Sequence, residues 1–316
     1  MRRKVNRVGQ STLTVSLPSQ WARKHKIKPG DEINVDEDGN ALMLWLDGKN
    51  RKVIKERVIV ADKTSKIMLA KQFHEFYWQG VECIRVKYSK NKIADYKNNK
   101  SINLTDYVSD LLQRFIGFEI ISQKNNEIVI NSLITTEESE KIISLERRIY
   151  YLVKEFLFAL HEIVDTKSKM DLKVAYQYHD NIAKFIHYYL RSLFAANVSE
   201  PHKYRKFALY LIIDKIIDKL RHTAERIDEA KIISPKFKVD LNDIFNVFLE
   251  LYDFIFAEKI NFEKLEELIK HRYDVVHRIN NTKYNLYEAR IIMECKILLD
   301  VINDFSQTLI TREIVN

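Results

Sequence analysis

Residues 7–24 read Arg7-Val-Gly-Gln-Ser-Thr-Leu-Thr-Val-Ser-Leu-Pro-Ser-Gln-Trp-Ala-Arg-Lys24. Val5, Val8, Leu13, Val15 and Leu17 form the apolar set around a Gly9-Gln10-Ser11 break, a pattern that predicts a short strand pair. Pro18 ends the second strand, and Ser19 is placed as the N-cap of a helix over Gln20 to Lys26. Pro29-Gly30-Asp31 is a turn reopening into a strand from Glu32 to Val35, and Asp38-Gly39-Asn40 is a hairpin turn into a last strand from Ala41 to Leu46. Strand, helix, strand, hairpin and strand are thus completed in under 50 residues. A unit so small buries little apolar area alone, so a second copy from another chain is expected to complete it.

Charge is concentrated in the same place. Arg2, Arg3, Lys4, Arg7, Arg23, Lys24, Lys26 and Lys28 occur in residues 1–28 without one Asp or Glu, and only then do Asp31, Glu32, Asp36, Glu37 and Asp38 follow. The whole chain of 316 residues carries a net charge of +8, which favours a polyanionic partner, and its length suits two or three cores.

All six glycines lie before residue 118, and beyond it only Pro201 and Pro235 punctuate the chain. This divides a turn-rich front from a helical back near residue 135. The expected division is a head at 1–50, an α+β middle module at 51–135 and an all-α region at 136–316. In the middle module, strands are expected at Arg57 to Ala61, Cys83 to Lys87, Phe118 to Ser122 and Glu127 to Asn131, with helices at Ser65 to Trp78 and Leu104 to Phe115. The polar stretch from Lys90 to Lys100 reads as a mobile loop. Six helices follow at about 137–165, 169–196, 201–230, 239–258, 261–280 and 283–312. Tyr150, Val153, Phe156, Leu157, Leu160 and Val164 give the first its amphipathic spacing. Long helices with short links predict bundles. Leu211-Ile-Ile-Asp214-Lys-Ile-Ile-Asp218 returns 86 residues later as Ile297-Leu-Leu-Asp300-Val-Ile-Asn-Asp304, the mark of two tandem three-helix units.

Several function classes are excluded or disfavoured. No apolar run reaches the roughly 20 residues of a bilayer span, and no apolar segment follows the basic start, so a cytoplasmic protein without membrane insertion is expected. Cys83 and Cys295 lack metal or redox spacing and are expected to be buried. No Walker lysine loop, GxSxG, HExxH or Rossmann fingerprint occurs, so an enzyme is not expected.

The stretch quoted above, with Lys28-Pro-Gly-Asp-Glu-Ile and a further strand, closely resembles the SpoVT/AbrB swapped-hairpin DNA-binding domain in its archaeal form over about residues 3–47. The resemblance implies a homodimer whose interlaced hairpins place Arg2, Arg3, Lys4, Arg7, Arg23 and Lys24 at double-stranded DNA. The chemistry agrees, because guanidinium and ammonium groups displace counterions from phosphates and Arg also reads guanine edges. Trp21 is read as a core residue rather than a base-stacking one. Residues of about 137–312 resemble the PhoU phosphate-signalling family, a pair of three-helix bundles whose third helix carries Glu-Arg-Ile-x-Asp-His-x-x-Asn-Ile-Ala-Glu. Here Asp214-Lys-Ile-Ile-Asp218-Lys-Leu-Arg-His222-Thr-Ala-Glu225 follows it, with Asp for the first Glu and His222 for the Asn. In the second unit Asp300 and Asp304 remain, and Thr308 and Thr311 replace the Asn and last Glu.

In that family such helix faces bind metal clusters, which implies a divalent or iron-type metal at Asp214, Asp218, His222 and Glu225, and at Asp300 and Asp304. Lys215 and Lys219 beside the first pair leave a plain solvated face as the alternative. His161, His179, His187, His271 and His277 have no ligand-like spacing and are read as structural or exposed. The sequence therefore points to a DNA-binding transcriptional regulator, of phosphate uptake or related transport, with a helical sensory domain. The rival is a dimeric PhoU-like adaptor that binds a transporter or signalling protein without reading DNA.

Overall fold

The computed structural model describes residues 2–9, 11–38, 41–46, 56–134, 140–166, 172–195, 200–230, 233–257 and 259–315. The chain forms two compact units, Met1–Lys52 and Val53–Asn316.

In the first unit, β1 (Val5–Val8) pairs antiparallel with β2 (Thr12–Val15), Val5 opposite Val15 and Arg7 opposite Leu13. Gly9, at φ +72°, supplies the left-handed step of the turn. Helix α1 (Ser19–Lys24) begins one residue earlier than its sequence suggests: Pro18 is the cap, its carbonyl accepting from the Ala22 amide at 2.9 Å, and Ser19 is already helical. The helix stops at Lys24 because the chain turns through Lys26 at φ +55°. The expected turn follows, with Lys28 N donating to the Asp31 carboxylate at 2.7 Å and Asp31 N to Lys28 O at 3.1 Å. Strand β3 (Asn34–Asp38) then pairs antiparallel with β4 (Ala41–Trp45). Gly39 and Asn40, the expected tip of that hairpin, lie outside the described residues.

The second unit opens with β5 (Glu56–Val60), α2 (Lys66–Trp78), β6 (Cys83–Lys87), β7 (Lys92–Asp95), β8 (Lys100–Asn103), α3 (Leu104–Leu112), β9 (Phe118–Lys124) and β10 (Glu127–Ser132). Four strands form a sheet in the order β5-β6-β10-β9, parallel between β5 and β6 and antiparallel elsewhere. Leu69, Phe73 and Tyr77 of α2 and Val108, Leu111 and Leu112 of α3 share a core with Ile84, Val86, Ile128 and Ile130. Alternation along β6 sends Ile84 and Val86 into that core and turns Cys83 away, so Cys83 is half-exposed and only Cys295 is buried.

The stretch from Lys90 to Lys100 is an ordered β-hairpin rather than a loop, with Ile93 opposite Ile102 and Asp95 opposite Lys100. One apolar pair among lysines and asparagines is too sparse to read as alternation. The hairpin is nevertheless pinned, because Ile93 is buried, Lys66 Nζ meets Asp95 at 2.9 Å, and Asn91 bonds the Thr105 amide and hydroxyl at 3.0 and 3.1 Å.

Six helices follow among the described residues: α4 (Glu140–Thr166), α5 (Leu172–Ala195), α6 (Glu200–Glu229), α7 (Pro235–Ile255), α8 (Phe262–Asn280) and α9 (Leu286–Val315). Helix α4 packs on α5 and α6, α7 packs on α8 and α9, and the two groups meet through α6 with α9 and α4 with α7. Val153, Phe156, Leu157, Leu160 and Val164 of α4 lie fully in their core. Helix α7 starts four residues ahead of the sequence expectation, because Pro235 is harmless at the first helical position and Ser234 caps the end by accepting from Phe237 N at 3.2 Å. The sheet and helical cores are joined where α2 packs on α5. There the buried Arg191 donates to the carbonyls of Tyr77 at 2.8 Å and Val81 at 3.2 Å and to Ser132 Oγ at 3.2 Å. Among the described residues no helix is long and apolar enough to cross a membrane.

Candidate functional site

The first unit carries the basic residues. Arg2, Arg3 and Lys4 run into β1, Arg7 lies within it, and Arg23 and Lys24 form the last turn of α1. All six side chains are exposed, and none has a carboxylate partner among the described residues; Arg23 Nε only reaches back to Ser19 O at 3.4 Å. Directly paired residues of antiparallel strands share a face, so Val5, Arg7, Leu13 and Val15 stand together. Apart from Arg7 that face is apolar, and it is open, Val5 being 62% and Leu13 65% exposed. Every residue of β1 and β2 is exposed and α1 buries none. Trp21 is half-buried and packs at 5.3 Å between ring centroids on His25, still within α1's own surface.

The acidic row of the helical region is built differently from its sequence expectation. Asp214, Asp218, His222 and Glu225 do share one face of α6, yet their lone pairs are taken by protein donors. His179 of α5 gives Nε2 to Asp218 at 2.9 Å and Nδ1 to Asp180 at 2.9 Å, and Asp180 also meets Arg114 at 3.4 Å. Lys215 reaches Asp214 at 3.3 Å and Asp218 at 3.4 Å. Arg221 bonds Glu225 at 2.5 Å and His222 Nε2 at 3.0 Å, and Tyr176 gives its hydroxyl to Glu225 at 2.6 Å. On α9, Asp300 is paired with Arg272, and Asp304 is exposed. The side chains of Thr308 and Thr311 lie outside the described residues.

Electrostatics follow from these partners. Burial pushes the His179 pKa down, but the hydrogen bonds and charges of Asp180 and Asp218 outweigh it and raise it above 6.5. Burial pushes the Asp218 carboxyl up, and the His179 hydrogen bond with the charges of Lys215, His179 and Arg221 overcomes this, leaving it below its ordinary value. Glu225 is lowered in the same way, against burial, by Tyr176 and Arg221. His222 is lowered by burial and then by Arg221. A metal ion needs free lone pairs converging on one point. Among the described residues no group of three or more His, Cys, Asp and Glu side chains is arranged to hold one. As placed, Asp218 and Glu225 of the first row are engaged by side chains that tie α5 to α6, and Asp300 of the second by one that ties α8 to α9.

His179 is the residue that sequence reasoning missed. Its partner Asp218 lies 39 residues away on another helix, and no local spacing marks the pairing.

No curated protein matches this chain, and neither does any solved structure. Residues 7–56 match the family model described as "Antidote-toxin recognition MazE, bacterial antitoxin". The first unit therefore carries a MazE/AbrB-like domain, and the match supports the AbrB-like swapped-hairpin reading of its strands.

Proposed function

We propose that this protein is a dimeric DNA-binding transcriptional regulator. The observation that carries the reading is the first unit itself: a strand pair with Val5, Leu13 and Val15 facing solvent beside six cations without a carboxylate partner among the described residues. Apolar strands left open in a single chain are completed by a second copy, and interlacing two copies pools their positive side chains into one patch suited to phosphates. The match of residues 7–56 to a MazE-type model is consistent with such a domain. The helical region would act as the sensory or interaction part, and its PhoU-like sequence pattern is the ground for assigning the regulator to phosphate uptake or related transport. It binds rather than catalyses.

The test is a titration of duplex DNA at rising salt. Affinity should fall steeply, and Arg7→Ala with Arg23→Ala should weaken binding and flatten the log–log salt slope by about 0.9 for each phosphate no longer neutralised. Binding that ignores salt and both substitutions would leave the head as a dimerisation device and favour the adaptor reading.

A further inference from the structure

The four-stranded sheet of the second unit has two edges, and they are built unlike each other. At the β9 edge the ladder with β10 slips by one residue between Ile120 and Ser122, which leaves Ile121 as the extra residue of a bulge, and Lys124 closes the strand. Bulges and lysines are the devices by which edge strands resist a foreign strand. The β5 edge, Glu56-Arg-Val-Ile-Val60, has neither: its register with β6 is regular, and among the described residues β6 is the only strand it pairs with. One row of its main-chain donors and acceptors therefore has no strand to meet.

The two charges of β5 are spent within the unit. Glu56 accepts from Arg85 Nε at 2.8 Å, and the Arg57 guanidinium lies over the Phe76 ring, 5.7 Å from its centroid. Ile59 is buried on the helix side of the sheet, so alternation sends Val58 and Val60 to the other side, where they are 50% and 45% exposed. The register sets Val58 beside Arg85 and Val60 beside Lys87, which keeps the two valines on one surface. An arriving strand meets bare main chain and a pair of valines.

A second copy of this chain fits that edge. When β5 is laid antiparallel on itself about a two-fold axis, one register alone pairs all five residues and keeps outward side chains together: Val58 stands opposite its own counterpart, and Glu56 opposite Val60. Tethering favours this occupant over an unrelated peptide. β4 ends at Trp45 and β5 begins at Glu56, a separation that spans at most roughly 40 Å, so two chains joined by their heads hold their β5 strands at a local concentration on the order of millimolar. A pairing five residues long is too short to hold free chains together, but it forms once they are tethered.

We propose that two copies of this chain pair edge to edge through β5, joining their sheets into one. The inference rests on the dimeric reading of the head and adds a second contact between copies, centred on Val58 and beyond the MazE-matched residues 7–56. Because Arg191 fastens each sheet to its own helices, the pairing sets the spacing of the two helical regions.

The experiment uses the full-length chain with Cys83→Ser, which removes the half-exposed thiol and leaves only the buried Cys295. Single cysteines are then introduced by Val58→Cys, Val60→Cys or Ile121→Cys, and each protein is oxidised with copper–phenanthroline and resolved without reductant. Val58→Cys should form a covalent dimer, since directly opposite residues of an antiparallel pair lie about 4.5–5.5 Å apart between Cα atoms, within disulfide reach. Val60→Cys and Ile121→Cys should crosslink at least about tenfold more slowly, because two copies of residue 60 would stand roughly 13 Å apart and Ile121 lies on the far edge. Adding Leu13→Glu should abolish the Val58→Cys crosslink by releasing the tether. No crosslink, or one no faster than that of Ile121→Cys, in protein that sedimentation velocity shows to be dimeric would overturn the edge pairing and leave the head reading intact. A Val58→Cys crosslink that survives Leu13→Glu would support the edge pairing and sink the head as the dimerising element. A chain that is monomeric and uncrosslinked would overturn both.

Discussion

His74 of α2 and His187 of α5 face each other with ring centroids 4.4 Å apart, enclosed by Trp78 and Phe115. His74 Nε2 and His187 Nδ1 find no hydrogen-bond partner among the described residues. Burial, followed by the charge of the other ring for His74 and of Arg114 for His187, brings both pKa values from 6.5 down to about 3. Both rings are neutral in the folded chain, whereas the unfolded chain takes up protons below pH 6.5. Their contribution to stability is therefore full above pH 6.5 and is lost as pH falls from there toward about 3, by at most about 1.4 kcal/mol per pH unit for each ring. His179 has the opposite sign: with its folded value raised, its contribution is present below 6.5 and lost as pH climbs through that raised value. His74, His187 and His222, all lowered, oppose the one raised ring of His179, so denaturant midpoints should drop between about pH 7.5 and pH 5, and His187→Phe should shrink the drop. An equal drop in both proteins would remove the pair as its cause.

Among the elements, α7 shows how little of a boundary periodicity carries. Ser234 accepts from Phe237 N, and its own amide donates to Glu288 at 2.8 Å, so one residue starts α7 and fastens it to α9. Ser234→Ala should cost about 1 kcal/mol in a denaturation experiment, the usual worth of such a cap, and a change below a few tenths would mean Pro235 sets the start alone. The long helices were legible because chain free of glycine leaves the 3.6-residue spacing of Val153, Phe156, Leu157, Leu160 and Val164 uninterrupted. The hairpin over Lys92–Asp95 and Lys100–Asn103 was not, since its pairing depends on Lys66 and Thr105 from other elements. The acidic face of α6 was likewise visible as a face, but its partners on α5, His179 and Tyr176, could be found only in three dimensions.

For the whole molecule, the first unit bears most directly on function. Its strands expose Leu13 and Val5 as no stable lone hairpin would, and this was legible from the size of the unit alone. Leu13→Glu should convert the proposed dimer to monomer in sedimentation velocity without altering the helical far-ultraviolet signal, and a variant that stays dimeric would place the interface between copies elsewhere. Within the second unit, by contrast, Arg191 makes dissection costly. Its guanidinium, sealed between α5 and the end of α2, donates to two main-chain oxygens and a serine hydroxyl. A shortened chain ending near residue 135 would strand those acceptors, and a helical fragment beginning there would carry a cation with nothing to receive it. Sheet and helices are thus inherited together, and whoever borrows one of them has to borrow the other.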